Sequence, residues 1–253
     1  MSTISALLEA LTGDAPVEQV LTGAFWTAVV LATDPPRCGL ASTLRDRGHP
    51  DGPPVSQAGD LLARTGRELA QGLVSTSYLE ASIGMAAYNA LLEVDEAACV
   101  ERNAEALILE RGAGQRVAIV GHFPFVDRVR QAVDQCWVIE RDPRPGDLPA
   151  GQAAPVLAQA DVVAVTGTTL INHTFDEVLA QCRPDAFIVV LGASAPLSPV
   201  LFEAGVDAVC GTQVSDPSRV LRWVAQGATF RQIKRSGGVK LLTMREDVHT
   251  ISN

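Results

Sequence analysis

The 253-residue sequence contains no Cys-x-x-Cys pair, and its five cysteines (Cys38, Cys99, Cys136, Cys182, Cys210) form an odd, scattered set. A disulfide framework or structural zinc site is not expected; these read as reduced, mostly buried thiols of a cytoplasmic protein. Long hydrophobic runs are also missing. The longest, at 24–32 and 187–192, fall far short of the roughly 20 residues a membrane helix needs. The first twenty residues lack the basic start and apolar core of a secretion signal and read as an amphipathic helix ending at Gly13. Lysine is scarce, present only at Lys234 and Lys240, which reads as a coding preference for arginine. With a net charge of −9 the chain has no general attraction to phosphate backbones or anionic membranes, so neither nucleic acid nor membrane is an expected partner. No Walker loop, HExxH or Ser-His-Asp signature occurs, which leaves NTPase, metalloprotease and hydrolase readings without support.

What is present is ordinary globular composition, 47% hydrophobic and 19% charged, in two grammars. The segments VEQVLTG, FWTAVVLAT and RCGLASTL, separated by turn residues, predict an antiparallel meander. A Gly/Pro-dense loop (45–59) follows, then helices around 60–73 and 79–99. After a Gly-rich break at 110–115, continuous apolar strands alternate with helices. Strands are expected at 116–121, 136–140, 161–167, 185–192 and 207–211, with a sixth at 240–244. Such runs are what strands covered on both faces require, and the alternation predicts parallel pairing. The fold class is therefore α/β: a C-terminal Rossmann-like doubly wound parallel sheet (112–253) preceded by a smaller N-terminal α+β domain (1–111).

In such sheets ligands bind beyond the carboxyl ends of the strands. Candidate binding residues are Gly121, His122 and Pro124 after the first strand, Glu140 after the second, and Thr168, Thr169 and Asn172 after the third. Ser194 and Pro196 follow the fourth strand, Gly211 and Thr212 the fifth. Glu140 lies 19 residues after Gly121, close to the spacing at which Rossmann proteins place an acid on a ribose. It reads equally as a solvated strand end. The first turn is GHFPF rather than GxGxxG, and the bulk of His122 and Phe123 argues against a normal dinucleotide site. His122 is the candidate general acid/base or metal ligand, against a plain loop-bonding histidine; His173, His49 and His249 carry less. Thr168 and Thr169 read as helix caps or ligand contacts. Cys210 and Cys38 are candidate soft metal ligands, or small core hydrophobes.

Four phrases, SIGMAAYNALL (82–92), VAIVGHFPFV (117–126), TGTTLINHTFDEVL (166–179) and LGASAPLSPVLFEAGVDAVCGTQVSDPSRVLRWVAQG (191–227), together resemble the heavy-metal chelation family, whose activity is not established. The resemblance implies an enolase N-terminal-like domain, a Rossmann-like domain and a ligand site in the cleft between them. It further implies cleft contacts from Gly39 to Thr43 and from Asn89, which reads otherwise as an interdomain tie. The metal candidates are His122, Glu140, Cys210 and Cys38, and the implied cofactor or partner is a transition metal ion, a metal complex or a small molecule. Rival readings are a transferase or lyase using a nucleoside-containing cofactor, and a non-catalytic binding module. A homodimer is an expectation from frequency alone.

Overall fold

Residues 1–45 and 52–245 are described by a computed structural model. The β-branched run after Pro16 forms β1 (Val17–Thr22), β2 (Trp26–Leu31) and β3 (Arg37–Ser42), an antiparallel three-stranded sheet in the order of the chain. A short helix, α1 (Thr3–Glu9), precedes it, capped by the Ser2 hydroxyl. The stretch expected as one helix over 60–73 is broken. A single turn at Leu61–Ala63 gives way to α2 (Gly66–Ala70), restarted by Thr65, whose hydroxyl accepts from Glu68 N while the Glu68 carboxylate accepts from Thr65 N. The long helix α3 (Tyr78–Leu91) ends eight residues before the expected Cys99. Its small residues are buried almost all round, which is how a helix lying between two layers reads. Gly39 on β3 lets it come close: a Cβ there would stand 2.0 Å from the Ala86 carbonyl oxygen.

The second sheet has eight strands: β4 (Cys99–Val100), β5 (Arg116–Val120), β6 (Gln135–Glu140), β7 (Leu148–Pro149), β8 (Val162–Thr166), β9 (Phe187–Leu191), β10 (Ala208–Val214) and β11 (Val239–Arg245). Their order is β4-β11-β10-β9-β8-β5-β6-β7. β5 to β10 pair parallel, as expected. β11 is antiparallel to β10 and β4 antiparallel to β11, so the sheet is mixed, not purely parallel. Gly211, Thr212 and Gln213, expected in a loop, instead extend β10, because β11 supplies backbone partners as far as Val214. Seven helices connect or cover these strands: α4 (Ala104–Gly112), α5 (Val126–Ala132), α6 (Ala154–Leu157), α7 (Thr168–Ile171), α8 (Phe175–Ala180), α9 (Val200–Glu203) and α10 (Pro217–Ala225). α11 (Phe230–Arg235) follows, opened by a Thr229/Gln232 capping box.

One face of the large sheet packs Leu107, Ile108, Val126 and Val129 from α4 and α5. The other shares a core with the small sheet and α3, including Leu31, Ala87, Val163, Leu170 and Val209. At the amino ends of the strands, Asp161 binds Arg116 through two charge-assisted hydrogen bonds of 2.9 Å and also meets Arg183. No helix among the described residues is long and apolar enough to cross a membrane.

Candidate functional site

Chain order reverses at β5: its successor β6 lies on one side and β8 on the other. The loops after β5 and β8 therefore diverge to opposite faces, opening a crevice at their carboxyl ends. A cavity of about 940 Å³ lies there. Its walls include Gly121, His122, Pro124, Glu140, Thr168, Thr169, Asn172, Cys210, Gly211 and Thr212, together with Trp26, Ser42 and Tyr78 from the small-sheet side. Gly121 makes the turn after β5 with φ +105°, a conformation open to glycine.

His122 is held at both ends. Its main-chain N–H donates to Glu140 Oε1 at 2.8 Å, and Glu140 Oε2 accepts from Arg141 N at 3.0 Å. Glu140 thus ties the ends of β5 and β6 together. The imidazole Nδ1 lies 2.9 Å from Asp147 Oδ2. The Asp147 carboxyl is wholly shut off from solvent and also accepts from Arg130 Nη2 at 2.9 Å and Arg144 N at 3.2 Å. Burial pushes its pKa up, but the hydrogen bonds from His122, the Arg144 amide and Arg130 outweigh it and hold the carboxyl below its ordinary value. An ionised carboxylate only accepts, so the hydrogen on Nδ1 points to Asp147 and Nε2 is the ring nitrogen not engaged by it. Asp147 is absent from the sequence-derived set. It sits in DPRPGDLP (142–149), a stretch with no periodicity to mark it.

The remaining candidates divide. Thr168 Oγ1 meets Thr166 Oγ1 at 3.1 Å, and Thr169 Oγ1 donates to the Thr166 carbonyl at 2.7 Å. Neither caps α7, whose cap position is Gly167. Asn172 Oδ1 accepts from the amide and hydroxyl of Thr174, and His173, at φ +61°, separates α7 from α8. The His173 ring bonds the Leu73 carbonyl; His49 and His249 lie outside the described residues. Ser194, Asn89 and Pro196 do not line the cavity. Ser194 Oγ accepts from Ser42 N at 2.8 Å, and Asn89 Nδ2 donates to the Leu40 and Ala193 carbonyls, so both tie β3 to the end of β9. Pro196 is buried.

The four metal candidates are not assembled. Cys210 lines the main cavity, its thiol accepting from Thr243 Oγ1 and pushed up to about 11 by burial. Cys38 lines a separate cavity, pushed up to about 12 by burial. Among the described residues no group of three or more His, Cys, Asp or Glu is placed to hold a metal ion. The electrostatics of the wall run against those of the chain. Six basic side chains (Arg45, Arg102, Arg128, Arg141, Arg231, Lys234) meet four acidic ones. Arg141 stacks over Tyr78, with 5.1 Å to the ring centre. Phe123 and Phe125 stack at 5.2 Å, and Trp26 meets Phe230 at 5.3 Å. Five buried side-chain polar atoms have no hydrogen-bond partner among the described residues: Trp26 Nε1, Gln181 Oε1, Arg37 Nε, Asn89 Oδ1 and Gln213 Oε1. Trp26 and Gln181 line the main cavity; the other three line the smaller one.

A large, mostly parallel sheet joined to a small antiparallel one, with a basic cavity at the strand ends, defines a two-sheet α/β architecture. The chain belongs to the heavy-metal chelation family: one family model described as “Putative heavy-metal chelation” matches residues 103–243, more than half of the chain, and a second with the same description matches 4–92. Two solved structures are similar over nearly the whole chain. One is a protein of unknown function of the DUF364 family from Desulfitobacterium hafniense, 25% identical, with a TM-score of 0.80 and 96% of each chain covered. The other, of the same family, from Pyrococcus horikoshii, is 18% identical with a TM-score of 0.81, covering 96% of this chain and 98% of that one. An uncharacterized protein of Methanocaldococcus jannaschii is 27% identical over 177 residues, 67% of this chain and 68% of that protein. The expected family and α/β fold class hold.

Proposed function

We propose that this chain handles a metal ion held in an organic chelator, with the complex seated in the cavity at the strand ends and His122 Nε2 as the protein's ligand to it. The observation that carries this reading is the His122–Asp147 pair, whose histidine lines the cavity while the carboxylate is buried behind it. A buried carboxylate on Nδ1 is the usual companion of a metal-binding imidazole, since it fixes the tautomer and raises the basicity of Nε2. One imidazole cannot cage a bare ion, for which three or four protein ligands are the rule, so the remaining coordination comes with the chelator. The cavity volume lies in the range of small-molecule sites, and the basic wall favours a chelator bearing carboxylates. A nucleoside-containing cofactor draws less support, because both oxygens of Glu140 already accept main-chain N–H groups.

The same reading takes the chain as a smaller N-terminal domain followed by a Rossmann-like one. The expected bounds are 1–111 and 112–253; the pairing of β4 with β11 supports counting Cys99–Val100 with the second domain instead. Five free thiols suit a reducing, cytoplasmic setting. The test is metal analysis and native mass spectrometry on protein as purified, then titration with Co(II) alone and as its nitrilotriacetate complex. One metal per chain, retained in complexed form and weakened about 10–100-fold in His122→Ala, is expected. Absence of metal from every preparation, or equal binding by wild type and variant, overturns the reading.

A further inference from the structure

The His122 corner occupies one end of the main cavity. Along the sheet β10 is the third strand from β5 and β11 the fourth. At about 4.8 Å per strand, the wall beside the paired Thr212 and Leu241 therefore stands about 14–19 Å from the His122 end. α11 supplies that wall with Phe230, Arg231 and Lys234. Between the two ends, Leu191, Gly192 and Ala193 line the cavity at the end of β9. A Cβ on Gly192 would meet nothing within 4 Å, so the passage is open there and its lining is apolar.

The basic residues of the wall are not equivalent. Arg102 is paired with Glu110, Arg128 with Glu105, and Arg141 lies over Tyr78. Arg45, Arg231 and Lys234 make no hydrogen bond, ion pair or ring contact among the described residues, and all three are exposed. Arg231 and Lys234 stand one turn apart on α11, where like charges repel. The cavity's acidic residues, Glu105, Glu140, Asp142 and Glu177, come from α4, β6, the loop after β6 and α8; none comes from the small sheet, β10, β11 or α11. The positive charge at the α11 end is thus left uncompensated by the cavity's own acids. A carboxylate brings one negative charge to such a cluster. A phosphate monoester brings about −1.5 to −2 at neutral pH with three acceptor oxygens, enough to engage both α11 cations at once. Trp26 and Phe230, in contact beside them, offer an apolar surface to the organic part. We infer that the α11 end of the cavity is a phosphate subsite, so that the cavity's ligand carries a phosphate on Arg231 and Lys234 as well as the group that meets His122. The subsite stands on its own charges; only the identity of the ligand's other end rests on the metal-complex reading.

The probe is phenyl phosphate, titrated into the metal-free full chain by ligand-observed NMR, with benzoate as the singly charged comparison. The titration is repeated on Arg231→Gln, Lys234→Gln, the double variant, His122→Ala, and Arg222→Gln, which removes a charge from α10 outside the cavity. Thermal melts check folding, and since the α11 side chains are exposed and uncommitted, their variants should melt with wild type. The expected result is one phenyl phosphate per chain, bound more tightly than benzoate. Binding should weaken about three- to tenfold in each α11 variant and about tenfold or more in the double variant, and hold in His122→Ala and Arg222→Gln. The inference is overturned if no saturable binding occurs, if benzoate binds equally well, or if Arg222→Gln weakens binding as much as the α11 variants. Loss of binding in His122→Ala alone places the phosphate at the other end and overturns it too. Because the probe holds no metal, its failure is a separate result from failure of the Co(II) titration.

Discussion

Replacing Asp147 with asparagine keeps the shape of the side chain and removes the charge on which His122, Arg130 and the Arg144 amide converge. Breaking a fully buried charge pair costs about 3–5 kcal/mol. Here the carboxyl is wholly buried, but the Arg130 and His122 side chains retain 30% and 18% exposure, so water recovers part of the loss. One asparagine oxygen also still accepts. A destabilisation of about 2–3 kcal/mol remains, which for a chain of this size lowers the melting temperature by about 4–12 °C. The pH dependence has a definite sign. The folded pKa of Asp147 is depressed, so its contribution is fully present above the ordinary value near 3.8 and is lost as pH falls through the lower folded value. Wild type and Asp147→Asn should therefore differ by a constant amount at neutral pH and converge in acid. Calorimetric melts between pH 3 and 8 measure both. A variant melting within about 2 °C of wild type at pH 7, with the same acid sensitivity, refutes the claim that this charge organises the corner.

Other outcomes follow from single positions. Gly39→Ala places a methyl 2.0 Å from one α3 backbone atom and 2.3 Å from another, so it should destabilise by about 1–3 kcal/mol or more. Gly151→Ala, with open space around it, should be nearly neutral in the same denaturant titration. Burial pushes Cys136, Cys182 and Cys210 up to about 11 and Cys38 to about 12. At pH 8 about one thiol in a thousand or fewer at these four positions is then ionised, and a disulfide reagent should label the native chain far more slowly than the chain in urea. Rapid labelling of four or five thiols in native protein would contradict that burial.

β5, β8 and β9 were readable because their Val, Ile and Ala runs are buried on both faces, and no other element makes that demand of so short a segment. The overrun of α3 has a tertiary cause. Residues 92–98 are good helix formers, but Asp95 starts a separate turn and Cys99–Val100 are drawn out to pair with β11. Gly211 suggested a loop, yet its missing side chain serves packing: a Cβ would lie 2.6 Å from the Leu197 side chain and 2.8 Å from the Ala195 oxygen. Strand-end positions follow from chain order alone, which is why His122 and Glu140 could be placed at the crevice. Asp147 could not, because its meaning depends on meeting a histidine 25 residues earlier across a fold. The aromatic and basic wall residues come from elements as far apart as β2 and α11, and no local pattern links them.

The opposition between a basic cavity wall and a chain of net charge −9 has a kinetic consequence. At about 0.01 M salt the screening length is about 30 Å, so an approaching anion feels the whole molecule and is repelled. At about 0.15 M it is about 8 Å, and the nearby arginines outweigh the distant carboxylates. For an anionic ligand, association should therefore quicken as salt rises from dilute to physiological concentration, the reverse of ordinary electrostatic steering. Only at still higher salt, where the wall itself is screened, should it slow again.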